Sequence, residues 1–245
     1  MTEILRLDAV TRRYKDVTAV KGVTVSASSG EILGILGPSG AGKSTILRLM
    51  DLLESPDSGS VLIHRKPVDA STRQAAGMRR NIGMVFQKPV VLNRSVANNL
   101  AYALRIRGWD EDKIAEKVRS EMERFGLKNR RGKNARTLSG GEMQRLCFAR
   151  VMIHSPEILL LDEFAANLDP ANVAMLEERV RHYAAEDHDR GVVLVTHNLF
   201  QAKRMCDRIA LMWDGELVEV SSKKKFFENP DDERTAAFVK GELVY

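Results

Sequence analysis

The sequence predicts an α/β fold organised around a parallel β-sheet. Three observations support it: short apolar strand patterns alternate with helical patterns, a glycine-rich loop joins a strand to a helix, and polar side chains follow several strands. Such alternation is typical of parallel strands connected by crossover helices. With 245 residues, of which 44% are hydrophobic, the chain is long enough to bury a substantial core as one large domain.

Strand patterns dominate the N-terminal third of the chain. They cover 3–9, 18–27, 31–36 and 59–64, and a helix over 43–53 follows the glycine-rich loop. Apolar and polar residues alternate in several of these segments, as expected where one face of a strand is buried.

Helical patterns dominate the middle of the chain. A strand at 82–86 precedes a segment from about 95 to 130 that is wholly helical. Within "DKIAEKVRSEMERFGL" the apolar residues recur at spacings of four and three, at Ile114, Val118, Met122 and Phe125. Because these spacings place them on one helix face, we expect a helical subdomain here.

The last third returns to alternating strands and helices. We predict a strand over 158–162, a helix over 171–185, a strand over 192–196 and another helix after it. The stretch "IALMWDGELVEV" then reads as a hairpin, because Asp-Gly is a favoured two-residue turn between strands. This order continues the parallel sheet and closes it with a hairpin.

Charge, cysteine content and hydropathy exclude other classes of protein. The formal charge is only +5 and the two signs are interspersed, so we expect no nucleic-acid partner. Two cysteines, Cys147 and Cys206, do not make a disulfide framework, which favours a reducing compartment. The N-terminus lacks a signal-peptide pattern, and no apolar run approaches the ~20 residues of a membrane helix.

The stretch "GPSGAGKST" matches the P-loop spacing and lies between a predicted strand and a predicted helix. Its glycines let backbone N–H groups close around phosphates, and the helix N-terminus favours anions. Lys43 would reach the terminal phosphates, and Ser44 would ligate magnesium. The residues predicted to bind nucleotide are Gly37, Ser39, Gly40, Ala41, Gly42, Lys43, Ser44 and Thr45.

Polar side chains follow three other predicted strands. "ILLLDE" ends in Asp162, which would hold magnesium through water, and Glu163, which would accept a proton from the attacking water. "GVVLVTH" places His197 at a strand end, and "MVFQ" does the same with Gln87. A single polar strand end is usually a capped or solvated side chain, but several beside one P-loop favour a shared catalytic site.

The stretch "LSGGEMQR" opens a predicted helix with two glycines. Ser139 and Glu142 form a capping box, so neither Gly140 nor Gly141 is needed to begin the helix. Each glycine costs up to ~1 kcal/mol relative to alanine in a helix. We infer that something outside the helix requires bare backbone at this point.

Together these motifs resemble the ATP-binding cassette of ABC transporters over nearly the whole chain. The resemblance implies a P-loop NTPase core of the RecA-like type, an antiparallel β subdomain and a helical signature subdomain. It implies a single domain over 1–245. Within it, 1–87 and 157–245 form the nucleotide-binding core with the β subdomain, and 88–156 form the helical subdomain.

The resemblance also assigns roles to single residues. Tyr14 would stack on adenine, although a half-buried strand tyrosine is the alternative. Gln87 would head the loop to the helical subdomain and ligate magnesium, and His197 would be the switch histidine. The loop "ANLDP" would follow the catalytic acid and bring Asp169 to its end. Residues 164–166, Phe-Ala-Ala, depart from the Pro-Thr-Ser of many members.

The stretch "LSGGEMQR", 138–145, resembles the signature of this family, and in the family the signature of one cassette covers the ATP held by the P-loop of another. The resemblance therefore implies that Ser139, Gly140, Gly141 and Asp169 meet the nucleotide of a second copy. We expect a two-fold homodimer that closes around two ATP molecules, with ATP and magnesium as cofactors. Hydrolysis would loosen it.

Three function classes compete on the sequence. An energising subunit of a membrane transporter predicts one cassette, no membrane segment and a docking surface near Gln87, where Val90, Val91 and Leu92 lie. Those three residues would equally suit a buried loop. A chromosome-maintenance or translation ATPase would show a coiled-coil insertion or a second cassette, and a P-loop kinase would leave the signature without a role. The sequence favours the transporter subunit.

The transported substrate is the least determined part of the prediction. The segment from 197 onward and the ending "FVKGELVY" resemble the ATPases of tungstate importers, and more distantly those for phosphate and molybdate. We therefore expect an oxyanion importer, with importers of phosphate, molybdate or polar amino acids and a non-transport ATPase as alternatives. The expected partners are permease subunits, which would hold the chain at the cytoplasmic face of the membrane, and an extracytoplasmic solute-binding protein.

Overall fold

The computed structural model of the chain describes residues 2–166, 168–186 and 189–242. Its strands are β1 (Glu3–Tyr14), β2 (Val17–Ser28), β3 (Ile32–Leu36), β4 (Ser58–Ile63), β5 (Lys66–Val68), β6 (Ile82–Val85), β7 (Ile158–Asp162), β8 (Gly191–Val195), β9 (Arg208–Trp213) and β10 (Glu216–Ser222). Its α-helices are α1 (Lys43–Met50), α2 (Arg73–Met78), α3 (Val96–Arg105), α4 (Glu111–Arg124), α5 (Gly140–Met152), α6 (Pro170–Glu186), α7 (Leu199–Met205), α8 (Lys223–Glu228) and α9 (Glu233–Lys240). Position 167 of the predicted "ANLDP" loop and positions 243–245 of the predicted tail lie outside the described residues.

The main sheet has six strands in the order β10-β9-β3-β8-β7-β6. The strands from β9 to β6 pair in parallel, and β10 pairs antiparallel with β9 as the predicted hairpin. All residues of β3 and β8 are buried, because both faces of a parallel sheet are covered. The predicted α/β core is confirmed, and the loop after β3 lies at the edge where β6, β7 and β8 also end.

A second sheet packs against one side of this core. It is antiparallel, with the order β2-β1-β4-β5, and its apolar face joins the hydrophobic cluster that contains α1. The predicted antiparallel β subdomain is therefore present. β1 runs to Tyr14 rather than ending near residue 9, because register shifts let it continue pairing with β2 and β4 past an irregular polar stretch.

The chain between β6 and β7 is helical. Ile114, Val118, Met122 and Phe125 are all buried, so the helical periodicity predicted the packed face correctly. α3 and α5 pack with α4 in the same hydrophobic cluster. The division into 1–87, 88–156 and 157–245 stays a prediction.

The sequence missed four short elements, β5, α2, α8 and α9. Each has three to eight residues, and hydrophobic periodicity is recognised over windows of about 11 to 18 residues. Cys206, predicted in a helical pattern, follows the last residue of α7 with extended backbone. Among the described residues, no helix combines the length and apolar character needed to cross a bilayer.

Candidate nucleotide-binding site

The loop 37–42 turns the chain from β3 into α1. Gly42, the residue before α1, is left-handed with φ 97°, and Gly37 has φ 147°. A Cβ atom at Gly37 would collide with the carbonyl oxygen of Met212, and one at Gly42 with that of Ala19. Because both backbone angle and space exclude a side chain, these positions require glycine.

Lys43 is held inside this loop. Its side chain is buried, with 6% exposure, and Nζ donates hydrogen bonds to the carbonyl oxygens of Gly37 at 2.8 Å and Pro38 at 2.6 Å. Burial lowers the pKa of Lys43, while the carboxylates of Glu163 and Asp162 oppose that shift. The cation is therefore fixed where the loop curls, beside the acidic ends of the neighbouring strands.

Ser44 and Asp162 come together across the site. Ser44 Oγ donates to Asp162 Oδ1 at 3.3 Å, and burial raises the pKa of the Asp162 carboxyl. Hydroxyl and carboxylate oxygens suit Mg²⁺, which commonly takes one or two carboxylates, substrate phosphates and water. No cluster of three or more His, Cys, Asp or Glu side chains that could hold a metal occurs in the described ranges. A site completed by phosphate oxygens does not need one.

Glu163, which follows β7, contacts side chains that follow β6 and β8. Its Oε2 accepts a hydrogen bond from Gln87 Nε2 at 2.8 Å, and its Oε1 lies 3.0 Å from His197 Nδ1. Its backbone N–H donates to the Val195 carbonyl at 3.0 Å, and its φ is +42°. A positive φ is uncommon for non-glycine residues. The few residues that adopt such strained conformations cluster at functional sites. The structure thus brings together the polar residues that the sequence placed at separate strand ends.

A cleft of about 300 Å³ lies beside the loop. Its lining residues are Tyr14, Ala19, Ser39, Gly40, Gly42, Lys43, Ser44, Thr45, Gln87 and Glu163. Gly37 lines an adjacent cavity of about 340 Å³ with Pro38, Ser39, Glu163, His197 and Phe238. Ala41 is buried under the loop. Ala19 and Phe238 had no sequence signal, because only tertiary packing brings them to the site.

Tyr14 is half-buried at the mouth of the cleft. The Arg12 guanidinium lies over one ring face, 5.0 Å from the centroid, and the Tyr14 hydroxyl donates to the Glu54 carboxylate. Since Tyr14 lines the same cleft as the P-loop, the geometry is compatible with a base stacking on it. Its role in adenine binding stays a prediction.

The signature lies apart from this cleft. Ser139 caps α5 by accepting from Glu142 N–H at 3.3 Å, and Glu142 Oε2 accepts from Ser139 N–H at 3.0 Å. These bonds and the one from Arg130 lower the pKa of Glu142 to about 2. Ser139 and Gly140 are exposed, and a Cβ atom at Gly140 would meet nothing within 4 Å. The capping box is confirmed, and no described residue of 138–145 lines the cleft.

Asp169 is exposed at the start of α6. Its Oδ1 accepts from the backbone N–H of Asn172 at 3.1 Å, and hydrogen bonds from Asn172 lower the pKa of Asp169. Like the signature, Asp169 lines neither the cleft nor the cavity next to it. None of the four residues assigned to a second copy's nucleotide lines the cleft beside this chain's own P-loop.

The Phe-Ala-Ala departure changes the segment after Glu163. Phe164 is buried and packs edge-to-face on Phe148, with ring centroids 5.1 Å apart. Its carbonyl accepts from Gln144 Nε2 at 3.0 Å. Ala165 and Ala166 line a cavity of about 70 Å³ beside Glu163 and His197. Apolar packing thus takes the place of hydroxyl contacts in this loop.

With the P-loop, the acidic strand end and the sheet order in place, the structure is that of a P-loop ATPase. The family model for ABC transporters matches residues 20–166. The chain therefore belongs to the ABC transporter ATPase family. It is an ATPase with ATP and magnesium as its cofactors.

Individual relatives agree with this membership. The chain is similar to the phosphate import ATP-binding protein PstB 2 of Natronomonas pharaonis, with 39% identity covering 98% of this chain and 88% of that protein. It is similar to the methionine import ATP-binding protein MetN 1 of Staphylococcus epidermidis, with 36% identity covering 98% and 72%. Among solved structures it resembles the dimeric post-hydrolysis state of the ATP-binding cassette MJ0796 bound to ADP and Pi. That match has a TM-score of 0.83, 27% identity, and covers 90% of this chain and 99% of the other.

Proposed function

We propose that this chain is the ATP-hydrolysing subunit of an ABC importer and that two copies share two ATP sites. The observation that carries the proposal is the separation of two half-sites. Lys43, Ser44 and Glu163 line one cleft, and Asp162 is hydrogen-bonded to Ser44. Ser139 and Gly140 of the signature are exposed and do not line that cleft. The dimeric relative bound to ADP and Pi supports pairing of such half-sites.

In this proposal the P-loop and the polar residues around it bind the nucleotide and the metal. The ammonium of Lys43 and the loop N–H groups bind the β- and γ-phosphates, and Tyr14 stacks on the base. Ser44, Asp162 and Gln87 would hold magnesium, whose charge offsets the negative charge that grows during phosphoryl transfer.

Glu163 would act on the attacking water. Its carboxylate accepts the proton of the water, and Gln87 and His197, each on one carboxylate oxygen, fix its orientation. His197 is 66% exposed at its side chain, so it can also reach a terminal phosphate in the cleft. Its hydrogen bond to Glu163 would then change as nucleotide is bound or hydrolysed.

The second copy would close the site. Its Ser139 hydroxyl, the bare backbone of Gly140 and Gly141 and the positive end of α5 would meet the γ-phosphate, with Asp169 beside them. The two-fold axis makes every contact reciprocal, so two complete sites form together. ATP would stabilise the closed dimer and hydrolysis would release it.

A groove beside Gln87 would receive the permease. Its volume is about 370 Å³, and its lining residues are Asp51, Leu53, Ala76, Arg79, Arg80, Ile82, Met84, Phe86, Ile106 and Arg107. Phe86 and Val90 are 43% and 60% exposed, whereas Val91 and Leu92 are half-buried. The apolar floor and basic rim fit a permease segment that carries apolar and acidic side chains. Attachment through it would hold the chain at the cytoplasmic face of the membrane.

We further propose an oxyanion such as tungstate as the transported substrate. The segment from 197 onward resembles the ATPases of tungstate importers, which supports this proposal. One relative is a phosphate import protein, and phosphate is also an oxyanion. The phosphate-import relative keeps phosphate as an alternative, and the methionine-import relative, at similar identity, keeps an amino acid. Molybdate and polar amino acids stay alternatives from the sequence. An extracytoplasmic solute-binding protein would deliver the substrate.

The shared-site proposal is tested by sedimentation of Glu163→Gln. This variant keeps the P-loop but lacks the base, so we expect a monomer without ATP and a dimer with saturating ATP and magnesium. A monomer under both conditions, with hydrolysis near the wild-type rate, would refute both the role of Glu163 and the dimer.

Docking and substrate need the assembled transporter. Phe86→Asp should abolish co-purification with the permease while ATP-dependent dimerisation survives, and Phe200→Asp, 77% exposed on α7, serves as the matched control. In the reconstituted complex, binding protein loaded with tungstate should stimulate ATPase more than protein loaded with phosphate or methionine. Equal failure of Phe86→Asp and Phe200→Asp would remove the groove from the proposal.

A further inference from the structure

The signature helix is tied to the segment that starts at this chain's own Glu163. Gln144 Nε2, on α5, donates to the Phe164 carbonyl at 3.0 Å. One residue further along α5, Arg145 Nη1 donates to Asn172 Oδ1, on α6. Both ties come from residues adjacent in sequence, so α5 is held at two points along 164–172.

Asn172 makes the more central of these contacts. Its Oδ1 accepts from Arg145, and its Nδ2 donates to Asp169 Oδ2. The same amide fills the space next to Gly141, where a Cβ atom would lie 2.8 Å from Nδ2. One short side chain therefore touches the signature turn, the signature helix and the Asp169 carboxylate.

Capping of α6 does not explain this arrangement. The cap bond runs from the backbone N–H of Asn172 to Asp169 Oδ1 at 3.1 Å, and any residue at 172 would supply that N–H. The side-chain amide is needed for the other contacts, because it offers a donor and an acceptor on one short, planar group. Aspartate would lose the donor and place a carboxylate opposite Asp169.

We propose that Asn172 is a positioning residue that holds the signature turn and Asp169 as one unit. This rests on the shared-site proposal, and it follows that Asn172 of one chain shapes the ATP site whose P-loop belongs to the other chain. Ser139 and Gly140 are exposed, so their orientation toward a second copy depends on such ties within the chain.

Heterodimers with one intact P-loop test this directly. One chain carries Lys43→Ala, so the single working site combines the other chain's P-loop with the signature of the Lys43→Ala chain. Asn172→Ala on the Lys43→Ala chain should raise the KM for ATP about tenfold, the effect of losing hydrogen bonds to a charged partner. On the chain with the intact P-loop it should change KM by less than about twofold. The ATP concentration for half-maximal cross-linking between the chains, which needs no turnover, should follow the same pattern.

Asn98→Ala is the matched control. Like Asn172, Asn98 is an asparagine at the third position of a helix, here α3, and it is exposed. Its replacement should have no placement-dependent effect. Asn172→Asp should reproduce the pattern of Asn172→Ala, and it carries the test if the alanine variant fails to fold. Equal effects at both placements would show a merely structural role and overturn the proposal, as would no effect or an effect confined to the chain with the intact P-loop.

Failure of the shared-site proposal itself would give a different experimental result. If Lys43→Ala and Ser139→Arg proteins do not complement each other, the shared sites themselves are wrong. If they complement but Asn172→Ala shows no preference for the Lys43→Ala chain, only the assignment of Asn172 is wrong.

Discussion

α1 and α5 both begin at glycines, but for different physical reasons. Gly37 and Gly42, before α1, have positive φ, and their missing Cβ atoms make room for carbonyl oxygens of this same chain. Gly140, at the start of α5, has open space around it. The fold requires glycine at the first pair of positions, whereas nothing in this chain requires it at Gly140 among the described residues. This difference supports the proposal that each ATP site is divided between two chains.

The surroundings of the two helices differ in the same sense. Lys43 is buried and bonded to the loop, and Ser44 already meets Asp162. The Ser139 hydroxyl accepts a hydrogen bond from the Glu142 N–H in the capping box, and Ser139 is exposed. Lys43 and Ser44 line a cleft, whereas Ser139 lies on the surface.

The largest effect is expected at Glu163. Glu163→Gln should slow hydrolysis by ~10²- to 10⁴-fold, the contribution of a positioned proton acceptor, while ATP affinity is kept. Single-turnover kinetics with labelled ATP measure the chemical step, and equilibrium binding measures affinity. A rate within threefold of wild type would remove Glu163 from the chemistry.

Lys43→Ala should affect binding instead. Removing the ammonium deprives the phosphates of a charge-assisted partner, and ATP affinity should fall by about 100-fold or more. Isothermal titration with ATP and magnesium checks this, with Lys88→Ala, an exposed lysine after Gln87, as the control. Tight binding by Lys43→Ala would contradict the assignment of the loop.

Alanine substitutions at Gly37 and Gly140 test whether the two glycines serve different purposes. Gly37→Ala should destabilise the fold by about 2 kcal/mol or more, because φ and the Met212 carbonyl both exclude a side chain. Gly140→Ala should leave the melting temperature unchanged or raised, yet lower ATPase activity about 10- to 100-fold through the interface. Thermal denaturation and ATPase assays on both variants would contradict the account if Gly140→Ala were fully active.

The smallest effect concerns acid stability of the signature turn. The folded pKa of Glu142, about 2, lies below its unfolded value, so its stabilisation is present above about pH 4 and is lost as pH falls toward 2. Glu142→Gln should therefore show a smaller loss of unfolding free energy over this range, by about 1 kcal/mol. Urea denaturation at pH 5 and pH 3 gives the difference, and identical pH dependence of both proteins would count against it.

The sequence located the P-loop and the strand ends because each is a local pattern, whereas the roles of their residues stay predictions. A glycine loop between strand and helix fixes its own geometry, and parallel strands necessarily bring Gln87, Glu163 and His197 to one edge. Contacts such as Gln144 with Phe164 and Arg145 with Asn172 were not predictable, because they depend on how α5 packs against a distant segment. The short helices α8 and α9 were not predicted, because six and eight residues are fewer than the window of about 11 to 18 over which helical periodicity is recognised.

Mixing two inactive variants tests the central claim, that each ATP site is shared, most directly. Ser139→Arg places a bulky cation in the signature and leaves its own P-loop intact, while Lys43→Ala does the reverse. In a mixed dimer, one site joins the two damaged halves and the other joins the two intact halves. The account predicts that mixing restores ATP-dependent closure, measured by cross-linking near Ser139 and Lys43, and ATPase activity if one site suffices. No gain of cross-linking on mixing, or full activity of Ser139→Arg alone, would contradict it.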